Sequence, residues 1–223
     1  MAPILLCDLD GTLVDTVQDL TAVLNRQLAE SDLAPLSEAQ VRRIVGRGMP
    51  RLVADGFSLA GRPLADSEWD PAVARFMAMY NADPAAHTAV YPGVPETLDT
   101  LARAGWRIAV CTNKPEAPTA AILEALHLAR FVEAIGAGDS FPVRKPAGAH
   151  LLATLERMHG DPAAAVMVGD SRIDLRAARD AGVPIVLVGY GYGDPDLAPA
   201  DADAWIDRFD ALPGALAGLR AAR

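Results

Sequence analysis

Two carboxylates two residues apart, Asp8 and Asp10, followed by Gly11 and Thr12, are the residues of this chain best equipped for chemistry. They follow the apolar run Ile4-Leu5-Leu6, which reads as a short buried strand. Neighbouring carboxylates repel, so the pair costs free energy unless a cation neutralises it, and Mg²⁺ prefers such hard oxygen donors. A carboxylate held at a strand's end is placed to attack phosphorus and form an aspartyl-phosphate. Asp and Gly are also ordinary turn residues, so Asp-Gly alone carries no weight. All four residues in five positions are more demanding, with a chance match on the order of one in a thousand at average composition.

The elements that must hold these groups follow from periodicity. Leu20, Val23, Leu24, Gln27 and Leu28 recur at helical spacing. Ser37 with Gln40 forms a capping box before Val41, Ile44 and Val45. Gly46-Arg47-Gly48 breaks that helix, and residues 49–57 and 65–80 read as two more. Residues 16–84 are therefore predicted to be wholly helical. Beyond them the texture alternates. Strands are expected at 106–112, 134–137, 164–168 and 185–188, with a short edge strand at 204–206. Helices are expected at 96–104, 115–128, from Lys145-Pro146 to 159, 171–181 and 209–219, with a loop at 189–199. This alternation implies an α/β, doubly wound, Rossmann-like parallel sheet with helices on both faces. The block of about 70 residues after the first strand is too long for a loop. It is expected to be an inserted all-helical cap domain at 16–84, with 1–15 and 85–223 forming the core.

Ligands of a doubly wound sheet bind outside the carboxyl ends of its strands. Those ends carry Asp8 and Asp10, then Thr112 and Asn113, then Lys145, then Asp170 with Asp174 four residues on. Taken singly, Thr112-Asn113 reads as a helix cap, Lys145 as a surface lysine and Gly169-Asp170-Ser171 as a turn. Their joint placement makes a set suited to phosphoryl transfer: charge from Lys145, a hydroxyl from Thr112, a further metal ligand from Asp170.

The motifs 8–15 (Asp-Leu-Asp-Gly-Thr-Leu-Val-Asp), Thr112-Asn113-Lys114, Lys145-Pro146 and 169–174 resemble those of haloacid dehalogenase-like phosphatases with a helical cap after the first strand. The resemblance covers nearly the whole chain. Within that subgroup the chain is most similar to phosphoglycolate phosphatases, through 45–48, 91–94, 178–182 and 189–193. The resemblance implies a Mg²⁺-dependent phosphatase of a small phosphorylated metabolite, with 2-phosphoglycolate the best match. It implies Asp8 as nucleophile and Asp10 as general acid and base. Mg²⁺ would sit on Asp8, the Asp10 backbone carbonyl and Asp170, with Asp174 in or near its outer shell. Thr112, Asn113, Lys145 and backbone amides near Leu9 and Asp10 would hold the phosphoryl oxygens. In the cap, Arg47, between Gly46 and Gly48, is expected to face the substrate and pair with its carboxylate, with Arg51 the next candidate. Cys7 stands where relatives often carry an aromatic residue and is read as packing.

Other readings fare unequally. Asp10 argues against a dehalogenase, which lacks an acid–base aspartate there. The absence of lysine between Thr16 and Pro84 argues against a phosphonoacetaldehyde hydrolase. A β-phosphoglucomutase shares the core motifs, and only Gly46-Arg47-Gly48 leans away from it. A phospho-accepting receiver domain would be about half this length, and a non-catalytic binding protein would not need every reactive position filled. A net charge of −9 argues against a nucleic-acid partner. No apolar run reaches the roughly 18 residues of a membrane span, and no basic-then-apolar leader begins the chain, so a cytoplasmic location is expected. Neither a monomer nor a dimer is specified.

Overall fold

The computed structural model describes residues 2–193 and 196–221. Six parallel strands, β1 (Ile4–Cys7), β4 (Arg107–Cys111), β5 (Ala134–Gly136), β6 (Ala165–Gly169), β7 (Ile185–Val188) and β8 (Ala204–Ile206), form one sheet. Their order across it is β5-β4-β1-β6-β7-β8. The chain winds outward from β1 first to one edge and then to the other, so the order reverses between β1 and β6. That reversal opens a crevice at the strands' carboxyl ends.

The strands are continuously apolar because both faces are covered. Leu5 and Cys7 of β1 pack with Val94, Leu98 and Leu101 of α5 (Val94–Arg103), Ile122 and Leu123 of α6 (Glu116–Ala125), and Leu212 and Leu216 of α9 (Leu212–Ala221). The alternate residues Ile4 and Leu6 pack with Leu151 and Leu155 of α7 (Gly148–Arg157) and Ala177 and Ala178 of α8 (Arg172–Ala181). Cys7 and Cys111 are buried free thiols in this packing, and burial pushes both up, Cys111 to about 12.

Between β1 and β4 the chain builds a third core. It uses α1 (Val17–Ala29), α2 (Glu38–Arg42), α3 (Met49–Leu59) and α4 (Asp66–Tyr80) around Leu20, Leu24, Leu52, Phe57, Phe76 and Tyr80. Ser37 caps α2 with the expected box. One element lies outside the sequence expectation: β2 (Val14–Asp15) pairs antiparallel with β3 (Ala89–Val90), joining Val14 to Val90 and Asp15 to Ala89. Two-residue strands offer no period to read. The ribbon marks where the chain enters and leaves the helical insertion. Asp19 on α1 secures the return, accepting from the His87 N–H at 3.0 Å and the Thr88 hydroxyl at 2.7 Å.

The remaining differences concern ends. α6 stops at Ala125, because His127 takes φ +56 before a 3-10 turn at Ala129–Phe131. A 3-10 turn at Phe209–Ala211 precedes α9. Within the expected loop at 189–199, Asp194 and Pro195 lie outside the described residues. Among the described residues, no helix is long and apolar enough to cross a membrane.

Candidate active site

Asp8 follows β1 directly, and its N–H donates to the Val168 carbonyl of β6 at 2.9 Å, which carries the ladder one residue past the strand. Its Oδ1 accepts from the Leu9 N–H at 2.8 Å and lies 2.8 Å from Lys145 Nζ. Lys145 also donates to Asp174 Oδ1 at 2.7 Å. Asp174 is the third residue of α8, where it completes a capping box with Ser171. Its second oxygen accepts from the Ser171 hydroxyl at 2.6 Å. One buried ammonium thus bridges two carboxylates from different strand ends.

Asp170 is held from the other side. The Tyr192 N–H donates to its Oδ2 at 2.7 Å. Gly11 permits this approach: at φ +83, a Cβ there would lie 2.2 Å from Asp170 Oδ2. A side chain at that position would be strained in backbone and would also strike the carboxylate.

Ligand atoms of Asp8, Asp170 and Asp174 lie within 4.8 Å of one another, and all three residues are buried. Burial raises the Asp8 carboxyl to about 7, opposed by Lys145 and reinforced by Asp174. Burial also raises Asp170 well above the usual carboxylate range, and the charges of Asp174 and Asp8 add to it. Counting Asp10, four buried carboxylates face the two buried ammoniums of Lys114 and Lys145. With all four ionised, two negative charges would be unbalanced, and a divalent cation on oxygen donors would offset them. The donor set fits such an ion.

Asp10 turns away from that trio. Its Oδ1 accepts from Lys114 Nζ at 2.9 Å and from the Thr16 hydroxyl at 2.6 Å, and its Oδ2 lies 3.1 Å from the same ammonium. Burial would lower the Lys114 ammonium, but the Asp10 charge outweighs it and holds the group above its ordinary value. The Tyr80 ring of α4 covers the ammonium, its centroid 4.9 Å from Nζ, a cation–π contact across the cap and core. Sequence reasoning passed over Lys114. The available signal was its place directly after Thr112-Asn113 and its being one of only two lysines in the chain.

Tyr192 was missed as well. Its hydroxyl sits 2.7 Å from the Thr16 N–H and donates to Asp15 Oδ1 at 3.0 Å, while Arg42 stacks over its ring and pairs with Asp15 Oδ2 at 3.0 Å. The same residue therefore braces Asp170 through its backbone and the start of the cap through its side chain.

A cavity of about 20 Å³ lies between core and cap, lined by Asp8, Asp10, Thr112, Lys114, Gly48 and Leu52 among others. Thr112 Oγ1 accepts from the Lys114 N–H at 3.2 Å, so its own proton is available to the cavity. Asn113 also borders it, with both side-chain N–H groups engaged, by Gly46 O at 3.0 Å and Lys145 O at 2.9 Å. Its side chain is thereby a cross-tie from core to cap. Gly48, at φ +87, packs against the Asn113 carbonyl, where a Cβ would stand at 3.4 Å.

Arg47 departs most from expectation. It does not line this cavity; it pairs with Asp55 at 2.6 Å, and Arg51 approaches the same carboxylate at 3.6 Å. The backbone turn that brings Gly46 and Gly48 inward sends the side chain between them outward. There Arg47 joins Arg43, Arg172 and Arg176 along a cleft of about 410 Å³ at the cap's edge.

With this geometry described, similarity to known proteins becomes informative. The chain is 42% identical over 216 residues to a phosphoglycolate phosphatase of Agrobacterium fabrum, covering 97% of this chain and 93% of that one. It is 46% identical over 209 residues to a phosphoglycolate phosphatase of Rhodospirillum rubrum, covering 92% and 87%. Among solved structures it superposes with a TM-score of 0.87 on a predicted phosphoglycolate phosphatase from Haemophilus somnus, at 29% identity over 96% of this chain and 97% of that one. CbbY from Rhodobacter sphaeroides, solved with phosphate, superposes at 0.76 with 26% identity over 95% and 96%. The family model for haloacid dehalogenase-like hydrolases matches residues 5–188. That match begins within β1 and ends with β7, so it takes in every strand end that carries the polar cluster, and the chain belongs to the haloacid dehalogenase-like hydrolase family.

Proposed function

We propose that this protein is a Mg²⁺-dependent phosphatase that hydrolyses 2-phosphoglycolate through an aspartyl-phosphate on Asp8. The observation that carries the reading is the pair of carboxylates on separate lysines. Asp8 is held by Lys145 and Asp10 by Lys114, so two chemically identical side chains two residues apart are prepared for different tasks. The substrate assignment rests on the names borne by relatives 42% and 46% identical over more than nine-tenths of the chain. Residues 16–84 are read as the cap and 1–15 with 85–223 as the core.

With Asp8 Oδ1 tied to Leu9 and Lys145, Oδ2 is the oxygen that attacks phosphorus. As the Asp8–phosphorus bond forms, the bond to the ester oxygen breaks, and that oxygen takes a proton from Asp10. Water then attacks phosphorus, gives its proton to Asp10, and displaces the Asp8 carboxylate with release of inorganic phosphate. Lys145 and the Thr112 hydroxyl stabilise the phosphoryl oxygens, and Asp174 fixes Lys145 for that task. Asp8 and Asp170, with Asp174 behind them and the Asp10 carbonyl, would hold Mg²⁺, which when bound offsets the carboxylate charge and draws the phosphoryl group into place.

The test is a panel of phosphate monoesters ranked by kcat/KM with Mg²⁺, containing 2-phosphoglycolate, sugar phosphates and an aryl phosphate. Phosphoglycolate should lead, and a chelator should abolish turnover that Mg²⁺ restores. Asp8→Asn should remove activity while thermal stability is kept or raised, because a like-charge cluster is relieved. Turnover persisting in chelator, or in Asp8→Asn above a few per cent, would sink the mechanism; a sugar phosphate leading the panel would sink the substrate.

A further inference from the structure

We infer that Lys114 is the residue that recognises the leaving-group carboxylate of the substrate, in place of the cap arginine that sequence alone suggests; this rests on the phosphoglycolate reading above. Three observations converge. First, among the described residues that line the cavity shared by Asp8 and Asp10, Lys114 is the one cation, while Arg47 points to Asp55 outside it. Second, position follows from the chemistry of the ester. In phosphoglycolate a single methylene separates the ester oxygen from the carboxylate. The group that protonates that oxygen, Asp10, must therefore lie next to whatever binds the carboxylate, and Lys114 Nζ is 2.9 Å from Asp10 Oδ1. Third, the ammonium is buried. The Lys114 side chain has no exposure and lies under the Tyr80 ring, so its charge is weakly screened and strongly favours an anion over a neutral group.

The geometry also links recognition to the chemical step. Lys114 donates to both oxygens of Asp10. A carboxylate arriving beside Asp10 competes for that ammonium and releases an Asp10 oxygen toward the ester oxygen. A neutral leaving group offers no such competitor. Discrimination should therefore appear in kcat as well as in KM.

The experiment compares 2-phosphoglycolate with 2-hydroxyethyl phosphate, which has the same length but no carboxylate, in wild type, Lys114→Met and Lys114→Arg. If Lys114 reads the carboxylate, the ratio of the two kcat/KM values should fall in Lys114→Met by at least about tenfold and largely survive in Lys114→Arg. If Lys114 serves only to orient Asp10, both substrates should lose equally and the ratio should stand, which overturns the proposal. A wild-type ratio near one would instead refute the phosphoglycolate reading itself. A crystal structure of Asp8→Asn with intact phosphoglycolate decides the matter even if the Lys114 variants do not fold. The carboxylate within hydrogen-bond distance of Lys114 Nζ supports the assignment; the carboxylate on any other cation overturns it.

Discussion

His150 stands behind the segment that carries Lys145, and two backbone groups dictate its protonation. Its Nδ1 accepts from the Lys145 N–H at 3.1 Å, and its Nε2 lies 3.2 Å from the Ala137 carbonyl, so the hydrogen must sit on Nε2. A second proton would set N–H against N–H. Burial, then the Lys145 charge, push this imidazole down to about 4. In the unfolded chain it titrates near 6.5, so between 6.5 and 4 the unfolded state binds more protons. Stability should therefore decline as pH falls through that window, by up to roughly 3 kcal/mol at 1.36 kcal/mol per unit. Urea unfolding of wild type and His150→Gln at pH 7 and pH 4.5 checks this: the gap between them should close at the lower pH, and a gap independent of pH would refute it. Asp8 and Asp10 were legible in the sequence because a two-residue spacing at a strand's end is a local fact. Lys114 and Tyr192 were not, because each acquires its role from a partner far along the chain, 104 residues away for Lys114 and Asp10 and 176 for Tyr192 and Thr16.

The elements were more legible than their pairings. Apolar runs marked every strand of the main sheet, since parallel strands covered on both faces leave no polar alternation to confuse. The Ser37 box and Gly182, at φ +66, marked helix ends that the structure repeats. The β2–β3 ribbon stayed hidden because it depends on residues 14 and 90 meeting. The direction of Arg47 was likewise beyond the sequence. Two glycines guarantee a bend but not which way the side chain between them leaves it, and Asp55 on α3 decides that. Arg47→Ala should therefore change kcat/KM for a carboxylate-bearing ester by no more than about twofold, since what it removes is an exposed ion pair. Steady-state kinetics on phosphoglycolate measure this, and a tenfold loss would return Arg47 to the substrate.

At the scale of the whole molecule, the space between core and cap is small. A cavity of about 20 Å³ has room for little more than one water, so a phosphate ester should need movement of the cap off the core to enter. Arg43, Arg47, Arg172 and Arg176 stand along the cap's edge in a chain of net charge −9. Such a local field should draw in a multiply charged anion, and kcat/KM for phosphoglycolate should drop as ionic strength rises, more steeply than for a monoester without the carboxylate. Equal salt slopes would remove that role from the cleft. The ribbon has one more consequence. Asp15 and Ala89 are paired neighbours, so the chain returns from some seventy residues of helix to within about 5 Å of where it left. Folded, the insertion thus asks of the sheet little more closure than a short turn would. Replacing residues 16–88 by a two-residue turn should leave a core that still melts cooperatively, and a non-cooperative transition would refute this. The insertion that covers the site is then exchangeable, like a fitting on a standard mount, while the sheet whose strand ends carry the polar cluster is not.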